Sequence, residues 1–165
     1  MVHTTYDGTI AVAQSILRTL SYILQKASTK ETLLSARLYE DMYPLADQVR
    51  LAVQYSENLA ARLSGREATQ FGGNPASFAE SFQRINTVLE NLSLADKDVV
   101  NENGDKLAPT PVGPGVSVDM SGASYAHTIV LPNVYFHVTT AYGILRKEGV
   151  DIGKRDYYEG FFPRT

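Results

Sequence analysis

The chain has 165 residues and no cysteine. Disulfides, thiol nucleophiles and thiolate metal sites are all excluded together. Histidine occurs only at positions 3, 127 and 137. No run approaches the roughly 20 apolar residues that a membrane helix needs. An excess of basic charge is also missing. The net charge is −3 and the pI about 5.6, whereas a nucleic-acid binder carries a basic face. Neither membrane nor nucleic acid is therefore an expected partner. The segment MVHTTYDGTIAVAQ lacks the basic-then-apolar order of a secretion signal, and cytoplasmic residence is the resulting expectation. There is no GxSxG elbow for a hydrolase nucleophile. There is no P-loop, no internal repeat and no low-complexity tract.

What remains is an ordinary globular composition, 44% hydrophobic and 20% charged, in a length that suits a single domain over 1–165. Four segments carry the helical period. The first runs through Ile10, Ala13, Leu17, Leu20, Leu24 and Ala27. The second runs through Leu34, Leu38, Leu45, Val49, Ala52, Leu59 and Leu63 to a stop at Gly65. The third uses Phe78, Phe82, Ile85, Leu89 and Leu92, with a cap at Asn74-Pro75 or at Ser77-x-x-Glu80. The fourth uses Val134, Val138, Ala141 and Leu145, from Pro132 to Gly149. The expected fold class is all-α, a four-helix bundle.

Two irregularities interrupt that pattern. Pro44 lies inside the second helical stripe, so a kink or break is expected there, and with it room for a pocket. The connection over 96–130 is too long for a simple bundle loop. Asn103-Gly104 suggests a small hairpin, and Val116, Val118 and Met120 alternate with Ser117 and Asp119 as a strand would. This partly β connection between helices 3 and 4 reads as a lid over one end of the bundle, or as a solvated excursion.

The segments ARLYEDMYPLADQVRLA, AARLSG and LPNVYFHVTTAYGILRKEGVDIGKRDY resemble a family of small domains of unknown function. That family is in turn similar to the DinB/YfiT-like superfamily of four-helix bundles. The likeness spans residue 6 to about 158 and is weakest over 96–130. It implies a four-helix bundle, and in the better-known superfamily members a metal held by three histidines, two of them one helical turn apart. This chain departs from that pattern. Asn133 stands one turn before His137 and Ala141 one turn after it, and neither replaces an imidazole well. No metal and no cofactor is expected. A homodimer through bundle helices accords with the resemblance.

The chemistry-bearing residues flank the expected core. Arg37, Asp41, Gln48 and Tyr55 share one stripe if the second helix runs through Pro44. His137 and Thr140 hold a similar position on the fourth. Facing stripes would bring His137, Asp41 and Gln48 together. One reading is structural, an Arg37–Asp41 ion pair with His137 as a satisfied buried histidine. The other makes His137 a general base or acid oriented by Asp41. A small organic molecule would then be bound with help from Arg37, Gln48, Tyr135, Thr140, Tyr142 and Lys154. In the tail, Lys154 and Arg155 either meet an anion or pair with Asp151 or Asp156. Tyr157, Tyr158, Phe161 and Phe162 are expected to pack over the bundle, onto a partner, or across a pocket mouth. The resulting expectation is a metal-independent acid–base enzyme of isomerase, dehydratase or cyclase type. The alternatives are a DinB-type metal-dependent transferase or hydrolase, and a non-catalytic homodimeric interaction module.

Overall fold

In the computed structural model, which describes residues 3–162, four long helices share one apolar core. A single turn, α1 (Thr5–Gly8), comes first, closed by a capping box in which Thr4 and Asp7 bond each other's backbone. The long α2 (Ile10–Gln25) follows and buries Ile10, Ala13, Ile16, Leu17, Leu20, Ile23 and Leu24 on one face. A 3-10 turn (Glu31–Ser35) and an irregular segment over 36–44 lead to α3 (Leu45–Ser64). Then come α4 (Phe78–Ser93) and the shorter α5 (Lys97–Asp105). Strands β1 (Leu107–Gly113) and β2 (Val116–Ser121) pair antiparallel. A short α6 (Gly122–Tyr125) and one π turn (Ala126–Val130) run directly into α7 (Leu131–Lys147). The chain ends in α8 (Lys154–Tyr157) and a 3-10 turn (Glu159–Phe161). Helix α3 packs between α4 and α7, while α2 closes the ring against the same two helices.

Pro44 breaks the second stripe rather than bending it. It is the N-cap of α3, with extended backbone, and its carbonyl accepts from Gln48 N at 3.1 Å. A proline at this boundary loses no helical bond, because the first helical N–H groups have no partner inside the helix anyway. Residues 36–44 are consequently not helical, and Arg37 and Asp41 do not share a helix with Gln48. The third helix is capped by Ser77, whose Oγ accepts from Glu80 N at 3.0 Å. Helix α3 ends at Gly65 with φ 68°, the left-handed conformation that glycine adopts freely.

The hairpin is real, but Asn103-Gly104 is not its turn. Asp96 caps α5 by accepting from Asp98 N and Val99 N. Both residues of the pair then lie in that helix, where Asn103 donates to Leu63 O at 2.9 Å. The reversal falls instead at residues 114–115, with Gly115 at φ 71°. Arg62 near the end of α3 clamps the strands: Nη1 donates to Thr110 Oγ1 at 2.6 Å and Nη2 to Met120 O at 2.5 Å. Its guanidinium also lies 4.4 Å from the Tyr125 ring centroid. Arg62 stands about 21 Å along α3 from Gln48 by helix rise. The hairpin therefore covers the far end of the helices and is no lid over His137.

Of the tail aromatics, Tyr157 and Phe161 pack against the core, while Tyr158 and Phe162 are exposed. Thr19 Oγ1 donates to Tyr157 O at 2.8 Å and accepts from Gly160 N at 3.2 Å. Gly160 is required by this close approach, since a Cβ there would collide with the Ser15 carbonyl and the Thr19 backbone. Among the described residues no helix is long and apolar enough to cross a membrane.

Candidate functional site

The polar centre joins α3 to α7. His137 Nδ1 lies 2.8 Å from Gln48 Oε1, and Gln48 Nε2 donates to Tyr43 O at 2.9 Å. The amide orientation decides the tautomer. With its NH₂ committed to a carbonyl, Gln48 presents oxygen to the imidazole, so Nδ1 carries the proton and Nε2 is left as an acceptor. Gln48 reaches both partners because Pro44 starts α3 one turn earlier and turns the Tyr43 carbonyl back over that turn.

His137 is 7% exposed, and burial, reinforced by the Arg50 charge, holds its pKa at about 4. The ring is neutral at physiological pH. It stacks on Tyr55, with centroids 6.1 Å apart and planes at 17°, and meets Phe136 edge-on at 5.3 Å. Nε2 makes no hydrogen bond among the described residues, and no fully buried side-chain nitrogen or oxygen there lacks a partner. This nitrogen is therefore not fully enclosed, though His137 does not itself line the depressions beside it.

Beside this centre, Leu38, Pro132, Tyr135, Phe136, Thr139 and Thr140 line an open groove of about 390 Å³. A second depression of about 240 Å³ adjoins it through Thr139 and is lined by Tyr142, Lys154, Tyr157 and Tyr158. Thr139 Oγ1 and Tyr157 Oη are 3.3 Å apart at the junction. Lys154 Nζ stands 5.7 Å from the Tyr158 ring centroid and joins none of the ion pairs among the described residues. Asp156, one of its two expected partners, is taken by Lys26 at 2.9 Å. Burial raises the Tyr135 phenol above its ordinary pKa, so it remains a hydrogen-bond donor.

The expected residues divide clearly. His137 and Gln48 meet; Tyr135, Thr140, Tyr142 and Lys154 line the adjoining depressions. Asp41 is exposed on the 36–44 segment, and the position expected of it beside the imidazole belongs to Gln48. Arg37 is exposed as well. Its guanidinium donates to Met42 O, and its carbonyl accepts from Lys147 Nζ at 2.9 Å. No Arg37–Asp41 ion pair forms among the described residues, because the helical spacing that would align the two is absent. Leu38, Phe136 and Thr139 were not singled out as ligand contacts from the sequence, and Tyr157 and Tyr158 only as aromatics that could lie across a pocket mouth. Leu38 carried a signal only as a core residue, and its place over Gly143 follows from the helix break.

A metal of the three-histidine kind does not fit these donors. His137 Nδ1 is engaged by Gln48, and Asn133 Nδ2 donates to Ile129 O at 2.7 Å within its own helix. Among the described residues no three His, Asp or Glu side chains converge into a group able to hold an ion.

Comparison with known proteins accords with this architecture. The chain is similar to a solved structure described as a DinB family member protein from Shewanella denitrificans. The two share 32% identity over 97% of this chain and 94% of that one, with a TM-score of 0.84. No functionally curated protein matches the chain. The model of the domain of unknown function DUF1993 matches residues 5–158, and the chain belongs to that family.

Proposed function

We propose that this protein is a single-domain, cytoplasmic four-helix bundle of the DinB type that binds a small organic anion along the outer face of α7. We further propose metal-independent acid–base conversion of that ligand, by isomerisation, dehydration or cyclisation. The observation that carries the reading is the Gln48–His137 pair, which fixes one tautomer and leaves a neutral Nε2 open as proton acceptor. Lys154, unpaired among the described ion pairs, supplies the cation for the ligand's anionic group. Thr139, Tyr142 and Tyr157, each bearing a hydroxyl, line the same depression. Leu38, Pro132 and Phe136 offer the apolar groove for its body. A pKa of about 4 makes His137 a weak base in the free protein. A ligand anion beside the ring would favour the imidazolium and move that pKa toward neutrality, where general bases work best. Binding and proton acceptance would thereby be coupled.

A second reading rests on the exposed aromatics of the same region. Tyr39 is 64%, Tyr43 60% and Phe136 55% exposed. A patch of this kind is what a second copy would cover, giving a homodimeric interaction module.

Native mass spectrometry of untagged protein incubated with a metabolite extract separates the two. A retained organic acid, lost in a folded Lys154→Ala variant and bound but not converted by His137→Gln, supports the enzyme. A dimer that retains nothing, and that Phe136→Asp dissociates, supports the interaction module instead.

A further inference from the structure

The two histidines outside this centre are brought together by the fold. His3 precedes α1, and His127 lies in the π turn before α7. Both rings are exposed and reach over Gly8. A Cβ built on Gly8 would lie 3.2 Å from His3 Nε2 and 3.7 Å from His127 Nε2. Both imidazoles thus approach the same side of Gly8. The backbone does not call for glycine here. Gly65, Gly73, Gly115 and Gly149 are the described glycines with positive φ, and Gly8 is not among them. Any L-residue could adopt its conformation, and alanine would suit the helical turn better. A side chain at this position would crowd the His3 ring, which would have to give by a few tenths of an ångström.

We propose that His3 and His127 form a two-imidazole site for a zinc-class divalent ion, which ties the N-terminal turn to the segment entering α7. Imidazole nitrogen suits zinc, copper and nickel, whereas magnesium and calcium prefer oxygen ligands. Zinc takes such nitrogens at about 2.0–2.1 Å. Exposed rings can turn to close that distance, and water fills the remaining positions. The neighbouring Asp7 adds negative charge beside His3, its carboxylate held below the ordinary pKa chiefly by the hydrogen bond from Thr4. Lys97, with Nζ 5.1 Å from the Tyr6 ring centroid, is the cation on the same side. The site is distinct from His137, which lies on α7 with Nδ1 occupied, and it does not rest on the catalytic reading.

The test is calorimetric titration of the untagged full chain with zinc chloride, with magnesium chloride as the comparison. One zinc per chain is expected, with no response to magnesium. His3→Ala and His127→Ala should each weaken zinc by more than about a hundredfold, beyond what loss of an outer-shell partner usually costs. Gly8→Ala should weaken it too while keeping both ligands, and His137→Gln should leave it unchanged. Imidazole ¹⁵N shifts should move for His3 and His127 together. The proposal is overturned if no saturable zinc binding occurs, or if a His3→Ala/His127→Ala double variant that melts like the parent binds zinc equally well.

Discussion

Gln48 Oε1 accepts from His137 Nδ1 at 2.8 Å while the same amide donates to Tyr43 O. One side chain therefore sets the tautomer of the imidazole and pins the non-helical 36–44 segment to the start of α3. The centre and the groove beside it are mechanically one unit.

That coupling predicts a pH signature. The folded pKa of His137, about 4, lies below its ordinary 6.5. Between these values the unfolded chain binds the proton and the folded one does not. The contribution is fully present above pH 6.5, declines as pH falls toward 4, and is exhausted below that. It amounts to roughly 3 kcal/mol at most. Denaturant melts of the parent and His137→Gln between pH 7 and 5 should diverge, with the variant less sensitive to acid. Parallel curves would mean that the imidazole is not neutral and buried.

Replacing Gln48 with Glu puts a carboxylate against Nδ1. The His137 pKa should rise from about 4 toward neutrality, because an opposite charge at this distance favours the imidazolium. NMR titration of the ring carbons reads this directly. The donor to Tyr43 O is lost at the same time, at a stability cost of about 1 kcal/mol.

Glu57 is the buried anchor at the other end of α3. It is fully buried and accepts from Arg66 at 2.6 and 3.1 Å, from Thr69 N at 2.9 Å and from Asn91 Nδ2 at 2.9 Å. Burial pushes its pKa up, but these donors outweigh it and hold the carboxyl below its ordinary range. Removing the anion leaves the donors unpaired, so Glu57→Ala should destabilise by about 3–5 kcal/mol. With a depressed folded pKa, this stabilisation is present above pH 4.5 and disappears as pH falls through the folded value. Thermal melts of the parent and Glu57→Gln at pH 7 and 3.5 should therefore converge at the lower pH.

Arg62 ties the hairpin to the helices by two hydrogen bonds and a contact with Tyr125. A two-stranded hairpin alone is marginal in water. Arg62→Met should accelerate amide exchange at residues 107–121 while the amides of α2 and α7 stay protected. Unchanged exchange in the hairpin would show that it stands without the clamp.

Gly160 faces the Ser15 carbonyl and the Thr19 backbone too closely for any Cβ. Gly160→Ala should release the 3-10 turn from α2 and lower stability by about 1–3 kcal/mol, as overpacking does. It should also disturb Tyr157, which lines the Lys154 depression, so ligand affinity and melting temperature should fall together.

Much of this molecule was legible in one dimension. The apolar rows of α2, α4 and α7, the stops at Gly65 and Gly149, and the β2 alternation are local patterns, because their cause is the period of the element itself. The polar residues of α7 were legible too, as side chains flanking a core row. Asn103-Gly104 misled because a hairpin dipeptide and a helix compete, and the Asp96 cap with the Asn103 bond to Leu63 favours the helix.

The sequence alone determined the absence of thiol chemistry and the apolar face of each long helix, and it offered His137, Asp41 and Gln48 together as polar candidates beside the core. Only the tertiary structure decided that Pro44 starts a helix instead of bending one. That choice carries Asp41 out to solvent, brings Gln48 to His137, and lays Leu38 over α7. Tertiary packing likewise placed His3 near His127, far apart in the sequence. Local periodicity specifies which face of an element is buried. It carries no information on which distant side chains share a point in space, because that follows from the packing of whole helices.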